Sequence, residues 1–184
     1  MQGRLFVIAG CSGVGKGTLI KRFLGENPEI KLSVSVTTRK PRAGEVDGVN
    51  YFFVSEEEFK KSIDNNEFLE WARFSGNYYG TKQSFIEKAL QKGDVIVEIE
   101  IQGAFQVKEK IKDAVLIFIL PPSWAILEQR LRGRNTEDED TIQQRLKIAR
   151  DEIEASEKFD YKIVNDNIDM AIKYLKEVFN KEGN

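Results

Sequence analysis

The chain has 184 residues, 41% of them hydrophobic and 32% charged, with a formal net charge of -2. That balance describes an ordinary water-compatible chain with material for one core and small inserted lobes, and it gives no global attraction to nucleic acid or to an anionic membrane. Histidine is absent and there is one cysteine, which excludes Ser-His and Cys-His nucleophiles, His-ligated zinc and any internal disulfide.

In chain order, the first apolar run, Leu5 to Ala9, reads as a buried strand. It is too short for the core of a signal peptide, and no run approaches the roughly 20 residues of a membrane span. With the lone cysteine, these features make a cytoplasmic protein the expectation. Residues Gly10 to Thr18 follow as GCSGVGKGT. Gly10, Gly13 and Gly15 let the backbone turn tightly, with its N–H groups inward around Cys11, Ser12 and Val14. Those groups and the N-terminus of the next helix make a phosphate site, which Lys16 completes as a point charge. Gly17 takes the place where such loops usually carry a hydroxyl, so the first hydroxyl available to a magnesium ion is that of Thr18. The same surroundings make Cys11 either a reactive thiolate or an inert, shielded thiol.

A helix is expected over Lys16–Leu24, where Leu19, Ile20, Phe23 and Leu24 recur at helical spacing. Further strands are expected at Val95–Ile101, Ala114–Leu120 and Tyr161–Val164, and helices near Lys82–Gln91, Ala104–Ile111, Trp124–Arg132, Thr141–Glu157 and Asp169–Asn180. Strands alternating with helices argue for an α/β fold with a parallel sheet flanked by helices. Residues 33–81 differ. They carry short alternating strands, Tyr51–Val54 and Phe68–Phe74, and a capping-box pattern at Ser55 and Glu58, and they read as a small inserted lobe. Residues 130–150, with arginines on either side of Glu137-Asp138-Glu139-Asp140, read as a helical flap.

Four groups of residues carry candidate chemistry. Arg39 and Arg42, with Tyr51, can grip a phosphate monoester or form a solvated basic turn. Glu70, in Phe68-Leu69-Glu70-Trp71-Ala72, either accepts hydrogen bonds from a ligand or is exposed; taken alone, exposure is the better expectation. Glu98 and Glu100, two apart at the end of an apolar strand, face one way and either hold a hydrated magnesium ion or pair with an arginine. Of Arg130, Arg132, Arg134, Arg145 and Arg150, most are expected to be solvated or paired with local acids, and one or two to clamp a moving phosphate.

Together these residues resemble guanylate kinases over nearly the whole chain. The resemblance runs through the glycine loop, SVSVTTRKPRAGEVDGVNYFFV from Ser33, EFLEWARFSGNYYGT from Glu67, EIEIQGA from Glu98, RLRGRNTE from Arg130 and VND from Val164. It implies a phosphate-loop core domain (1–32, 82–129 and 151–184), a GMP-binding lobe (33–81) and a lid (130–150). It implies that Arg39, Arg42, Tyr51 and Tyr79 hold the GMP phosphate, and that Ser35, Glu70 and Thr81, with Glu100, line the GMP site. Arg134 and Arg145 would bring charge onto the ATP phosphates and Asn165 would lie near the adenine. Magnesium would enter with ATP, close to Thr18, Glu98 and Glu100, through water. The implied activity is transfer of the γ-phosphoryl group of ATP to GMP, by Lys16, Arg39, Arg134 and Arg145, in purine nucleotide metabolism. The implied partners are those two nucleotides, with no nucleic acid or membrane, in a monomer or homodimer. Two rival readings stand beside it: a non-catalytic protein-binding module of the same fold, and a kinase for another monophosphate. Cys11 replaces the proline of many relatives, and Glu98 and Glu100 stand where some carry aspartate.

Overall fold

The run Leu5–Gly10 (β1) is buried at every position, the signature of a strand covered on both faces. In the computed structural model, which describes residues 3–133 and 138–183, it is followed by α1 (Lys16–Glu26), β2 (Lys31–Leu32), β3 (Val36–Thr37), β4 (Phe52–Phe53), α2 (Glu56–Asp64) and β5 (Phe68–Phe74). Next come β6 (Asn77–Lys82), α3 (Gln83–Leu90), β7 (Val95–Glu98), α4 (Ile101–Lys110), β8 (Val115–Leu120), α5 (Trp124–Arg132), α6 (Glu139–Ala155), β9 (Tyr161–Val164) and α7 (Ile168–Gly183). The five-stranded sheet has the order β2-β7-β1-β8-β9 and the four-stranded sheet the order β4-β3-β6-β5. Among the described residues no helix is long and apolar enough to cross a membrane.

The chain divides into two compact units, Met1–Val7 with Glu29–Ala114, and Ile8–Pro28 with Val115–Asn184. In the first, β2 pairs with β7 in parallel. Val36, Phe59 and Phe68 form a core, with the rings of Phe59 and Phe68 stacked at 4.4 Å. The hairpin β5–β6 turns at Ser75 and Gly76, both at positive φ, as a two-residue hairpin turn requires. Ser55 and Glu58 form the reciprocal capping box that starts α2. In the second unit β8 pairs with β9 in parallel, and α1 packs on α7 through Phe23 and Phe179, 4.9 Å apart.

Two expected boundaries are corrected. Strand β7 stops at Glu98, and Ile101 already belongs to α4, with Glu100 as its N-cap; Glu98 and Glu100 therefore do not share one strand face. Helix α6 begins at Glu139 rather than Thr141, because the Asp138 carboxylate accepts from the Thr141 N–H at 2.8 Å and caps the helix earlier.

Candidate active site

The glycine loop lies in the second unit. Gly10, Gly13 and Gly15 all have positive φ. Gly15 is the left-handed N-cap of α1, a dihedral that favours glycine, and a Cβ there would stand 2.8 Å from the Asn165 amide nitrogen and displace it. Long side chains hold the loop by its carbonyls. Lys16 Nζ donates to Gly10 O and, at 3.4 Å, to Cys11 O. Asn165 Nδ2 donates to Val14 O at 2.9 Å, and Arg130 donates to Val14 O at 3.3 Å and to Asn165 O at 3.4 Å. Arg145 donates to Ser12 Oγ at 2.8 Å. Lys16, Arg130 and Arg145 bring positive charge to the loop, which suits a polyphosphate. Gly17 and Thr18 lie exposed in the first turn of α1.

Asn165 is thus a brace of the loop itself. Arg130, expected only on a flap, is a second brace; its partners lie 116 and 35 residues away in sequence, so no local pattern marks it. Arg134 lies outside the described residues. Of its two alternatives, Cys11 is the shielded thiol. It is buried, its Sγ donates to Ala149 O at 3.6 Å, and burial, with the charge of Glu152, raises its pKa to about 12. It is a thiol, because desolvation outweighs the nearby Lys16 charge.

The remaining candidates lie in the first unit. Arg39 forms a two-pronged ion pair with Glu45, at 3.0 and 2.8 Å, and its guanidinium lies 5.5 Å from the Tyr51 ring centre and 5.8 Å from that of Phe53. Glu45 also accepts from the Arg42 N–H at 2.7 Å, while the Arg42 side chain is exposed. Its hydrogen bonds to Arg39 and to the Arg42 backbone hold Glu45 below the usual carboxylate range. The rings of Tyr51 and Tyr79 stand edge to face, 6.1 Å apart. Burial raises the Tyr51 phenol, and the charge of Glu98 adds to the effect. Arg39, Tyr51 and Tyr79 therefore form one cluster, with Glu98 near enough to be felt. Ser35 is half-buried just before β3.

Glu70 is corrected: it is 3% exposed, not solvated. Its Oε1 accepts from the Thr81 hydroxyl at 2.6 Å, and Thr81 is itself buried. Burial raises the Glu70 pKa to about 7; the Thr81 hydrogen bonds and Lys110 oppose the shift, and Glu100 adds to it. The expectation of exposure rested on the general exposure of carboxylates, and a register irregularity of β5 against β6 lies between Phe68 and Glu70. Once ionised, Glu70 is an acceptor-only carboxylate with a hydroxyl beside it in a buried place, a chemistry that suits a ligand presenting adjacent donors.

The chain is similar to known proteins along almost its full length. The family model described as Guanylate kinase matches residues 2–182. A guanylate kinase of Desulfitobacterium hafniense (strain Y51) is 51% identical over 178 residues, covering 96% of this chain and 89% of that one. One of Caldanaerobacter subterraneus subsp. tengcongensis is 50% identical over 178 residues, covering 96% and 86%. The crystal structure of guanylate kinase from Anaplasma phagocytophilum superposes with a TM-score of 0.78 at 33% identity, covering 98% of this chain and 86% of that one.

Proposed function

This chain belongs to the guanylate kinase family, and on that premise we propose that it transfers the γ-phosphoryl group of ATP to GMP, and to dGMP, giving ADP and the corresponding diphosphate. The observation that carries the choice of base is the buried Glu70 carboxylate with the Thr81 hydroxyl at 2.6 Å. Guanine presents N1–H and the 2-amino group side by side, and a carboxylate takes both. The Ser35 hydroxyl can donate to guanine O6, whereas the single Thr81 hydroxyl proton goes to Glu70.

The division of work follows from the chemistry. ATP binds the second unit: the loop Gly10 to Thr18 takes the phosphates, Lys16 and Arg145 neutralise them, Arg134 joins from the lid, and Asn165 and Arg130 keep the loop in shape. GMP binds the first unit, where Arg39, Arg42, Tyr51 and Tyr79 take its phosphate and Glu100 supplements Glu70 at the base. Residues 33–81 act as the GMP lobe, 130–150 as the lid, and the rest as the core.

An oxygen of the GMP phosphate attacks the γ-phosphorus in line, its bond to that phosphorus forms as the bond to the β-phosphate oxygen breaks, and ADP leaves. No side-chain nucleophile is needed; positioning and charge neutralisation are the protein's contribution. Thr18 in the second unit, and Glu98 and Glu100 in the first, each offer oxygen donors only, which suit magnesium held largely through nucleotide phosphates and water; among the described residues no three acidic or cysteine side chains gather into a cage. When bound with ATP, magnesium supplies further neutralisation of phosphate charge. The reading implies a cytoplasmic enzyme of purine nucleotide metabolism, monomeric or homodimeric, with these two nucleotides as its partners.

The test is ADP release with ATP and magnesium across GMP, dGMP, IMP, AMP and a sugar phosphate. Turnover is expected with GMP and dGMP above all. No turnover with any of them would favour the non-catalytic module, and preference for another phosphate would reassign the substrate.

A further inference from the structure

Helix α4 holds Glu70 from a side to which the proposed function gives no role. Gly103, Gln106 and Lys110 lie three and four residues apart on α4, and so on one face. Gly103 is buried, and a Cβ built there would stand 2.5 Å from Glu70 Oε2 and 3.1 Å from its Cδ. The carboxylate thus occupies the space where any other residue would carry its side chain. Glycine within a helix is unfavourable relative to alanine, and this close approach is the physical use of the one at Gly103.

One turn on, the Gln106 amide behaves as a strand partner. Its Oε1 accepts from the Trp71 N–H at 3.1 Å and its Nε2 donates to the Trp71 carbonyl at 2.9 Å. Strand β5 is last in its sheet, so the edge that β6 does not use is the one Gln106 pairs with. A further turn on, Lys110 Nζ donates to the Phe68 carbonyl at 2.9 Å. The main chain is therefore fixed to α4 on either side of Glu70. This is also where the β5–β6 pairing shifts register, between Phe68 and Glu70, so the ladder alone does not set the position of this residue.

We propose that the Gly103–Gln106–Lys110 face of α4 is a specificity-determining element: it sets the position of the Glu70 carboxylate against a purine monophosphate, and thereby the preference for a purine with a 2-amino group over one without it. Its three residues are positioning residues, acting through Glu70, and the proposal rests on the reading that Glu70 takes the guanine edge.

The experiment compares kcat/KM for GMP and for IMP, which lacks the 2-amino group, in the full chain and in Gly103→Ala, Gln106→Ala, Glu70→Gln and Gly103→Ala/Glu70→Asp. Gly103→Ala should lower the GMP:IMP ratio by about tenfold or more, chiefly through KM for GMP, with KM for ATP unchanged. Its melting temperature should not fall through any loss of helix, since alanine favours the helix. Gln106→Ala should act in the same direction with a smaller effect. In the double variant the shorter Asp side chain withdraws from the added methyl group, so its ratio should lie above that of Gly103→Ala alone. A fold-level role for Gly103 would instead reduce both substrates equally and leave the ratio unmoved.

If Glu70→Gln collapses the ratio while Gly103→Ala and Gln106→Ala keep it at the wild-type value, Glu70 reads the base but α4 does not position it, and the proposal fails. If Glu70→Gln itself leaves the ratio unchanged, the reading of Glu70 fails and takes the proposal with it. Should Gly103→Ala not fold, a folded Gln106→Ala variant with the wild-type ratio is enough to overturn it.

Discussion

Thr81 donates its hydroxyl to the Glu70 carboxylate at 2.6 Å with both side chains buried, so one oxygen of that carboxyl group is already held by the protein. The same burial raises the Glu70 pKa to about 7, and a pH dependence follows. The folded protein keeps a proton that the unfolded chain gives up near the ordinary carboxylate pKa of 4.5, so this group makes the free protein less stable as pH rises from 4.5 towards 7. Guanine's two donors favour the carboxylate form, so GMP should bind more tightly as pH rises through the same window and should release a proton on binding. The GMP phosphate also titrates near pH 6, so the Glu70 contribution is the difference between wild type and Glu70→Gln. Calorimetric titration at several pH values in buffers of different ionisation enthalpy measures it. Identical pH profiles for the two proteins would contradict the assignment.

Lys16 rests on two carbonyls of its own loop, a site it must leave to follow charge on a moving phosphoryl group. Lys16→Met should lower kcat by about 10²-fold or more, the loss typical when one preorganised electrostatic donor is removed. Steady-state turnover at saturating nucleotide checks this. Near-normal kcat in the folded variant would contradict it.

Arg39 is held as a fork by Glu45. Lysine keeps the charge but cannot present two parallel donors to a phosphate. Arg39→Lys should raise KM for GMP by about tenfold or more, the equivalent of one charge-assisted hydrogen bond, with KM for ATP unchanged. An unaltered KM for GMP would place the phosphate elsewhere.

Cys11, buried and with its pKa at about 12, should resist iodoacetamide in the native protein at mildly alkaline pH and react once the chain is unfolded. Intact-mass spectrometry reads the result. Rapid complete labelling of the native protein would show the thiol to be accessible.

What the sequence made legible was local. Gly10, Gly13 and Gly15 announce positive φ at fixed spacing, and Ser55 with Glu58 announces a helix start, because each depends on neighbours within a few residues. What it hid depends on distant partners. Glu70 is buried through Thr81, eleven residues on, and Gly103, 33 residues on, with a register shift that no alternation rule anticipates. Cys11 is desolvated beside Ala149 and Glu152 of α6, so a loop that looked hospitable to a thiolate is covered from far along the chain. The Glu98–Glu100 pair failed as a strand face because α4 begins at once, a boundary that the apolar run through Ile101 obscured.

The central claim is that Glu70 makes this chain choose guanine, and kcat/KM for GMP and AMP in wild type and Glu70→Gln tests it most directly. Adenine offers an acceptor at N1 and no 2-amino group, so the buried carboxylate keeps only its Thr81 partner and gains neither donor that guanine supplies, and wild type should discriminate against AMP by about 10⁴-fold. Glu70→Gln keeps the shape but replaces an acceptor with a donor. It should reduce GMP turnover far more than the weak AMP reaction, narrowing the gap. Equal fractional losses for the two substrates would mean that Glu70 does not read the base.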